Sequence, residues 1–412
     1  MIALDPLELQ ENGAPIERVL DAAVGRALQR SDAVKATLID PPSGLWSIEP
    51  KNKIGVVTVA VPRADTSISI FIRPKLPIRR LMFLLDYIVK PRGWRDDPID
   101  VVEHEEFVPA VAHFFERQIG NALRPGLLRG FRPRREAAMV VRGRIDTGEQ
   151  LRCHFGLPTP IEVEYDEHTA DIAENRVLLA AIERMLRRLS DTSPAIHARL
   201  RRHRERLIGE VTPPAVADRV LGTWTPNRLN LRYLPALRLA EIILRDGSVE
   251  QDNGEVRIDG FLFTMWRIFE DFVTVALERC LLGSSGSVKL QDDRHHLDAA
   301  RTVLLRPDLI WYDTSGKPLA VVDAKYKAEK RSGFPNSDLY QVLAYCTVLG
   351  LREGHLVYAK GNETRAEHLV RGPVSEVRIH QHALDLERSP VALLAQIKAI
   401  AERCIAQAAA NP

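Results

Sequence analysis

Three side chains in the last third of the chain have the types and spacing of a hydrolytic centre: Asp308, Asp323 and Lys325, in TVLLRPDLIWYDTSGKPLAVVDAKYK. TVLLRPDLIWYD and PLAVVDAKYK are rich in β-branched and aromatic residues and flank TSGK, so the segment predicts a β-hairpin. A turn centred between Ser315 and Gly316 sets Asp308 opposite Asp323. Directly opposed side chains lie about 4.5–5.5 Å apart at Cβ. Lys325, two residues further on, points to the same face. A slip of one residue would place the aspartates on opposite faces. Two opposed carboxylates repel, and a divalent cation relieves this by accepting an oxygen from each; Mg²⁺ commonly takes one or two protein carboxylates. One or two Mg²⁺ ions held by Asp308 and Asp323 would polarise a phosphate and lower the pKa of water. Lys325 would stabilise the developing charge, or orient or deprotonate that water. Together these groups suit hydrolysis of a phosphodiester. The plainer alternative is a strand-end acid and an exposed polar face. The apolar flanks of AVVDA argue for a core rim, where an unpaired carboxylate is costly.

Two predicted helices carry possible helpers. In LFTMWRIFEDFVTVALERC an apolar stripe runs through Phe269, Phe272, Val273, Ala276, Leu277 and Cys280. Glu270 beside it either reaches the metal as a third ligand or is a solvated helix acid; Asp271 is the weaker candidate. In SDLYQVLAYC, Gln341 and Tyr345 stand four apart and share a face. The pair either binds a phosphate and orients the lysine, or packs half-buried. Asp338 reads as a helix N-terminal acid. His295 and His296, near Asp292 and Asp293 in QDDRHHLD, invite a metal reading, but strand neighbours point to opposite faces, and a polar loop is preferred.

The elements that must position these groups follow from periodicity. Residues 1–75 show helical potential at 15–30, then β-rich IGVVTVAV (54–61) and SISIFIRP (67–74). Apolar spacings of three and four predict helices at 79–89 and 105–123. The basic stretch 124–146 ends in a predicted strand. Residues 170–208 predict two helices parted at DTSP, with Leu178, Ile182, Met185, Leu186 and Leu189 forming an apolar stripe; the pair either stands out as an arm or covers a body, and PALRLAEIIL (235–244) predicts another helix. Beyond 260 the expected order is helix (261–281), hairpin (302–327), helix (337–349), strands (354–360 and 375–380) and helix (391–408). The expectation is a multidomain α+β chain: a β-containing region over 1–150, a helical stalk over 151–250, and an α/β domain with a central mixed sheet over 251–412.

The chain of 412 residues is long enough for two or three cores. With 45% hydrophobic and 27% charged residues it reads as globular, and no apolar run approaches the roughly 20 residues that span a bilayer. Cys153, Cys280, Cys346 and Cys404 are scattered without a CxxC, which argues against zinc ribbons, iron–sulfur clusters and a disulfide framework and suits a reducing cytoplasm. The start lacks a secretory pattern, and no GxxxxGK[ST] is present, so no nucleotide is expected on this chain. A net charge of +2 says little, but arginines cluster at 124–144 and 184–206. Such clusters either track phosphates or form solvated faces.

RPD and DAK, fourteen residues apart, with a helical Glu before and QxxxY after, resemble the PD-(D/E)xK nuclease superfamily, especially its RecB-like branch. A longer series resembles McrC, the nuclease subunit of McrBC-type modification-dependent restriction systems: IRPKLPIRRLMFLLDYI, VRGRIDTGEQLR, AENRVLLAAI, NRLNLRYLPALRLAEIIL and WRIFEDFV. This likeness implies a phage-defence endonuclease, with Asp308, Asp323 and Lys325 as motif residues and Glu270 and Gln341 in support. It also implies a partner, a hexameric McrB-like AAA+ GTPase that recognises 5-methylcytosine in double-stranded DNA, with no membrane involved. The stalk would enter the partner's ring and stimulate GTP hydrolysis, making the 170–208 helices a candidate contact. Two alternatives remain: a non-cleaving assembly and GTPase-activating subunit, or a stand-alone RecB-like repair nuclease.

Overall fold

The computed structural model describes residues 2–61, 65–91, 106–155, 157–187, 189, 193–213, 224–246, 249–252, 256–326, 336–359, 366–371 and 376–410. The chain forms two compact units, one from residues 1–110 together with 249–412, the other from 111–248. This differs from three consecutive domains, because an early strand pairs with a late one.

The first stretch holds β1 (Ile2–Gln10), β2 (Ile16–Val19), α1 (Ala22–Arg30), β3 (Val34–Asp40), β4 (Leu45–Pro50), β5 (Lys53–Val61), β6 (Thr66–Arg73), α2 (Ile78–Val89) and the start of α3 (Phe107–Leu123). Helix α1 begins where the Asp21 carboxylate accepts from Ala23 N at 2.7 Å. The inserted unit contains β7 (Gly130–Ala138), β8 (Arg144–Ile145), α4 (Thr147–His154), β9 (Ile161–Thr169), α5 (Ala173–Leu186), α6 (Pro194–Ile208) and α7 (Leu234–Asp246). The chain then returns with β10 (Val249–Asp252), β11 (Arg257–Thr264), α8 (Met265–Leu281), β12 (Ser287–Leu290), β13 (His295–His296), β14 (Leu304–Leu305), β15 (Leu309–Tyr312), β16 (Pro318–Lys325), α9 (Asn336–Leu349), β17 (Glu353–Ala359), β18 (Ala366–Arg371), β19 (Glu376–Leu384) and α10 (Pro390–Ala410).

In the first unit, a five-stranded sheet runs β1-β6-β5-β11-β10. Strand β5 pairs antiparallel with β11 from Lys53↔Thr264 to Ala60↔Arg257. A Cβ at position 55 would fall 2.0 Å from the Phe261 carbonyl oxygen, so only glycine, here at φ +131°, allows the strands to meet. The pairing also corrects the helix expected at 261–281: Phe261–Thr264 belong to β11, and α8 starts at Met265. Helix α8 meets α2 through Phe272, whose ring lies 5.7 Å from Phe83 and 5.5 Å from Tyr87.

A second sheet of the same unit runs β12-β15-β16-β17-β19-β18, antiparallel at both ends and parallel between β16, β17 and β19. Its core on one face joins Ile310, Tyr312, Val321, Leu356 and Tyr358 to Val342, Tyr345 and Cys346 of α9. The strand expected over TVLLRPDLIWYD is broken at Arg306–Asp308, where proline cannot donate to a ladder. The segment expected as a polar loop contains β13, which pairs with β14.

In the inserted unit, β7 and β9 pair along their full length, Gly130↔Thr169 to Ala138↔Ile161, so residues 151–250 are not purely helical. The arginines of the 124–144 cluster answer the acids of β9: Arg134 bonds Glu167 at 3.0 Å, while Arg135 and Arg144 bond Glu164 at 3.0 and 2.7 Å. Cations matched this way are a surface ladder of small individual worth. Helices α5, α6 and α7 bury Leu178, Ile182 and Met185 with Ile196, Leu200, Leu237 and Ile243. Asp171 is the polar hub beside them, accepting from Arg132 at 2.7 Å, from two Arg176 nitrogens at 2.6 Å, and from Thr212 N and Oγ at 3.1 and 2.9 Å. The Arg176 guanidinium, aided by Thr212, lowers its carboxyl from 3.8 to about 2 despite partial burial. A depressed folded pKa gives stability that is present above the ordinary value and is lost as pH falls through the folded one. Asp171→Asn is therefore expected to cost about 2 kcal/mol at neutral pH. Chemical denaturation should also show a weaker loss of stability between pH 4 and pH 2. An unchanged denaturation midpoint would remove the hub role.

All four cysteines are free. Among the described residues no helix is long and apolar enough to cross a membrane.

Candidate active site

The register of β15 and β16 is Leu309↔Val322, Ile310↔Val321 and Trp311↔Ala320, with a bulge before Tyr312↔Pro318. The next step beyond Leu309↔Val322 brings Asp308 beside Asp323, the pairing expected from sequence, but by another route: Tyr312↔Pro318 centres the turn on Ser315, and the bulge adds the one-residue shift. Asp313 shapes the turn, its Oδ1 accepting from Ser315 N at 2.7 Å and Lys317 N at 2.8 Å. Because β15 begins only at Leu309, the Ala324 amide has no strand partner on that side, and Asp308 Oδ2 accepts from it at 2.8 Å. This pins the first carboxylate against the backbone between the other two site residues.

Asp323 is 1% exposed and Asp308 8%. Burial raises the Asp308 carboxyl above the usual range, against the Ala324 amide and Lys325. Burial and then the charge of Asp308 raise Asp323, against Lys325. Lys325 Nζ stands 2.6 Å from Asp323 Oδ2, and that oxygen accepts no hydrogen bond otherwise. Burial opposes the Lys325 charge, but Asp323, Asp308 and Glu270 outweigh it and hold the ammonium above its ordinary pKa. Glu270, half-buried on α8, is pushed up to about 8 by burial and then by Asp308, with Lys325 opposing and Asp323 adding. The site thus gathers three carboxylates and one ammonium; burial is the main cause of the raised acids, and the neighbouring negative charges add to it.

Gln341 lies on α9, where its Nε2 donates to the Tyr345 hydroxyl at 2.6 Å, and that hydroxyl donates to the Arg306 carbonyl at 3.4 Å. The pair therefore braces the segment leading into Asp308. Burial and the nearby Asp323 push the Tyr345 phenol up to about 12. Asp338, read as a simple helix acid, is buried; the Tyr358 hydroxyl lies 3.5 Å from its Oδ2, and its charge adds to the raising of Asp323. The β16–β17 register, which pairs Asp323 with Leu356 and Lys325 with Tyr358, brings Tyr358 beside this corner. Nothing in the local sequence signals that parallel contact. Asp271 is half-buried and contributes to the raised acids, next to Glu270 on α8.

Among the described residues no group of three or more His, Cys, Asp or Glu side chains has the arrangement of a metal site. Mg²⁺ needs fewer, since it binds through one or two carboxylates and keeps several waters. Asp308 and Asp323 fit that demand: both are buried oxygen donors standing side by side at the end of the β15–β16 ladder, with the single ammonium of Lys325 against the pair. His295 and His296 do not join the site; His295 Nε2 bonds the Tyr312 hydroxyl at 2.8 Å.

Among solved structures, the chain is similar to one in a refined half-complex from the tetradecameric assembly of Thermococcus gammatolerans McrB AAA+ hexamers with bound McrC. The TM-score is 0.52 at 15% identity, covering 97% of this chain and 100% of that one. It also matches a chain of the cryo-EM structure of the Thermococcus gammatolerans McrBC complex, with a TM-score of 0.40 at 18% identity, covering 67% of this chain and 88% of that one. No curated protein matches the sequence. A family profile described as McrBC 5-methylcytosine restriction system component matches residues 48–359, a span that contains Glu270, Asp308, Asp323, Lys325 and Gln341. With most of its length matched, the chain belongs to the McrBC 5-methylcytosine restriction system component family.

Proposed function

We propose that this chain is the endonuclease subunit of a modification-dependent restriction system, hydrolysing DNA phosphodiesters with Mg²⁺ at Asp308, Asp323 and Lys325. The observation that supports it most is the buried Asp308–Asp323 pair, short of positive charge, with Lys325 alongside. Asp308, fixed through Oδ2 by the Ala324 amide, leaves Oδ1 as a donor to the ion, and Asp323 supplies the second carboxylate. When bound, Mg²⁺ supplies Lewis acidity toward the phosphate and the attacking water. Lys325 is held as an ammonium, which favours charge stabilisation over the role of base that its sequence position left open. Glu270, pushed up to about 8 at the rim, would ionise when a cation is bound and so add a third carboxylate beside it. Tyr345 and Gln341 keep the Arg306–Asp308 segment in place, so their contribution is positional.

The family and the fold likeness support an McrB-like AAA+ GTPase hexamer as partner and modified double-stranded DNA as substrate. The partner contact is best sought at the end of the inserted unit where Ala138 pairs with Ile161. There Met139, Val140, Leu151, Phe155 and Leu157 are all exposed. The stripe side chains Leu178, Ile182 and Met185 of α5 are instead buried within the unit. Contiguous exposed apolar groups mark interaction surfaces.

The test is nicking of a methylated plasmid by the purified chain with an McrB-type partner, GTP and Mg²⁺. Cleavage should vanish in EDTA. Stimulated GTP hydrolysis without any nicking would favour the non-cleaving alternative, and cleavage of unmodified DNA without partner or nucleotide would favour a repair nuclease.

A further inference from the structure

Between β12 and β15 lies a hairpin, β13–β14, that the proposed chemistry does not use. Its base is fixed to the face of the sheet that carries the site. Leu305 packs with Ile310, Tyr312 and Tyr345, and the Tyr312 hydroxyl bonds His295 and Asp292, each at 2.8 Å. Its tip is braced internally: Leu297 N donates to the Val303 carbonyl at 2.8 Å, and the Asp298 carboxylate accepts from Thr302 N, Thr302 Oγ and Val303 N at 2.9, 2.8 and 2.8 Å. The hairpin is therefore a built projection, and Arg306 and Pro307 join it directly to Asp308.

Its surface combines exposed apolar and basic side chains. Leu297, Val303 and Leu304 are 49%, 47% and 51% exposed. Arg301 and Arg306 are exposed and have no acidic partner among the described residues, unlike the arginines of the β7–β9 ladder. Lys289, likewise exposed and unpaired among the described residues, sits opposite Ile310 in the β12–β15 ladder, and so on the same face as Asp308. Two of the nearby acids are engaged elsewhere, Asp292 with Arg294 and Tyr312 and Asp298 within its own loop, which leaves Asp293, among the described residues, as the one exposed acid beside three cations. Unmatched cations beside exposed apolar side chains, next to a phosphodiester-cutting site, suit the backbone and minor groove of a duplex.

We propose that the β13–β14 hairpin is an arm that holds double-stranded DNA against the site. Arg301, Arg306 and Lys289 bind phosphates flanking the scissile one, while Leu297, Val303 and Leu304 lie in the minor groove. The assignment rests on the reading of the site as a DNA nuclease.

The test is fluorescence anisotropy of a short labelled duplex with the full chain in EDTA, over a range of salt. Arg301→Ala/Arg306→Ala is expected to weaken binding about tenfold and to lower the slope of log K against log salt by about 2, since each phosphate contact contributes about 0.9. Leu297→Ser/Leu304→Ser should weaken binding with the slope unchanged. Both pairs are exposed, so melting temperatures should match the parent. Unchanged affinity and slope in the arginine variant overturn the proposal. So does a variant that binds DNA normally but loses association with the McrB-type partner, which would make the arm a protein contact. A parent chain that binds with this salt slope yet never nicks in Mg²⁺ removes the nuclease reading and leaves the arm standing.

Discussion

Asp323→Ala and Lys325→Ala are each expected to lower Mg²⁺-dependent nicking by a factor of about 10³ or more, because each removes a charge aimed at the reacting phosphate inside a desolvated site. Folding should survive, for different reasons. Without Asp323, the lysine still faces Asp308 and Glu270, and a carboxylate strained by burial is gone. Without Lys325, the acids lose the ammonium that faces them, so the apoprotein should melt lower above pH 7 and recover when Mg²⁺ is added. The two variants then differ in stability while sharing the loss of cutting. The measurements are plasmid nicking with partner and GTP, and thermal melts with and without Mg²⁺. Retained cutting by both variants would sink the assignment, whatever the melts show.

The second large effect concerns the far end of the β7–β9 pair. Leu151→Ser/Phe155→Ser is expected to weaken association with an McrB-type partner by about a hundredfold or more, as loss of a central aromatic anchor together with its apolar neighbour does. Phe155 is 92% exposed and in the left-handed region, so the free chain gains nothing from that ring and should fold as before. GTPase stimulation should fall in step with binding. The site itself is untouched, so binding of duplex DNA in EDTA should stay at the parent level. Full GTPase stimulation by the double variant would place the contact elsewhere, with α5 and α6 the next surface to examine.

The site was legible where its geometry is local. A short turn brings β15 and β16 together and a period of two puts Asp323 and Lys325 on one face, so the three residues could be grouped from spacing, while the bulge before Tyr312 that sets the final register carries no signal in the sequence. Pro307 ended the strand sooner than its apolar pattern suggested, and that early end is what frees the Ala324 amide for Asp308. Asp338 and Tyr358 could not be placed, because they meet Asp323 only through the parallel β16–β17 ladder and the helix between. The charge pairing of β7 with β9 was hidden for a similar reason: the arginines were visible as a cluster, while their acidic partners lay some thirty residues on. The division into units was least legible, since β5 and β11 stand about two hundred residues apart and each reads as an ordinary strand.

That last pairing bears on how the chain comes into being. Everything from 111 to 248 leaves the ribosome as a self-contained insert, free to fold while β5 still waits for β11. The strand that completes the first sheet runs straight into α8, the helix that carries Glu270. A half-made or prematurely ended chain would therefore hold an unpaired β5 edge and none of the candidate site, so Glu270, Asp308, Asp323 and Lys325 come together only after the strand that completes the first sheet has been made.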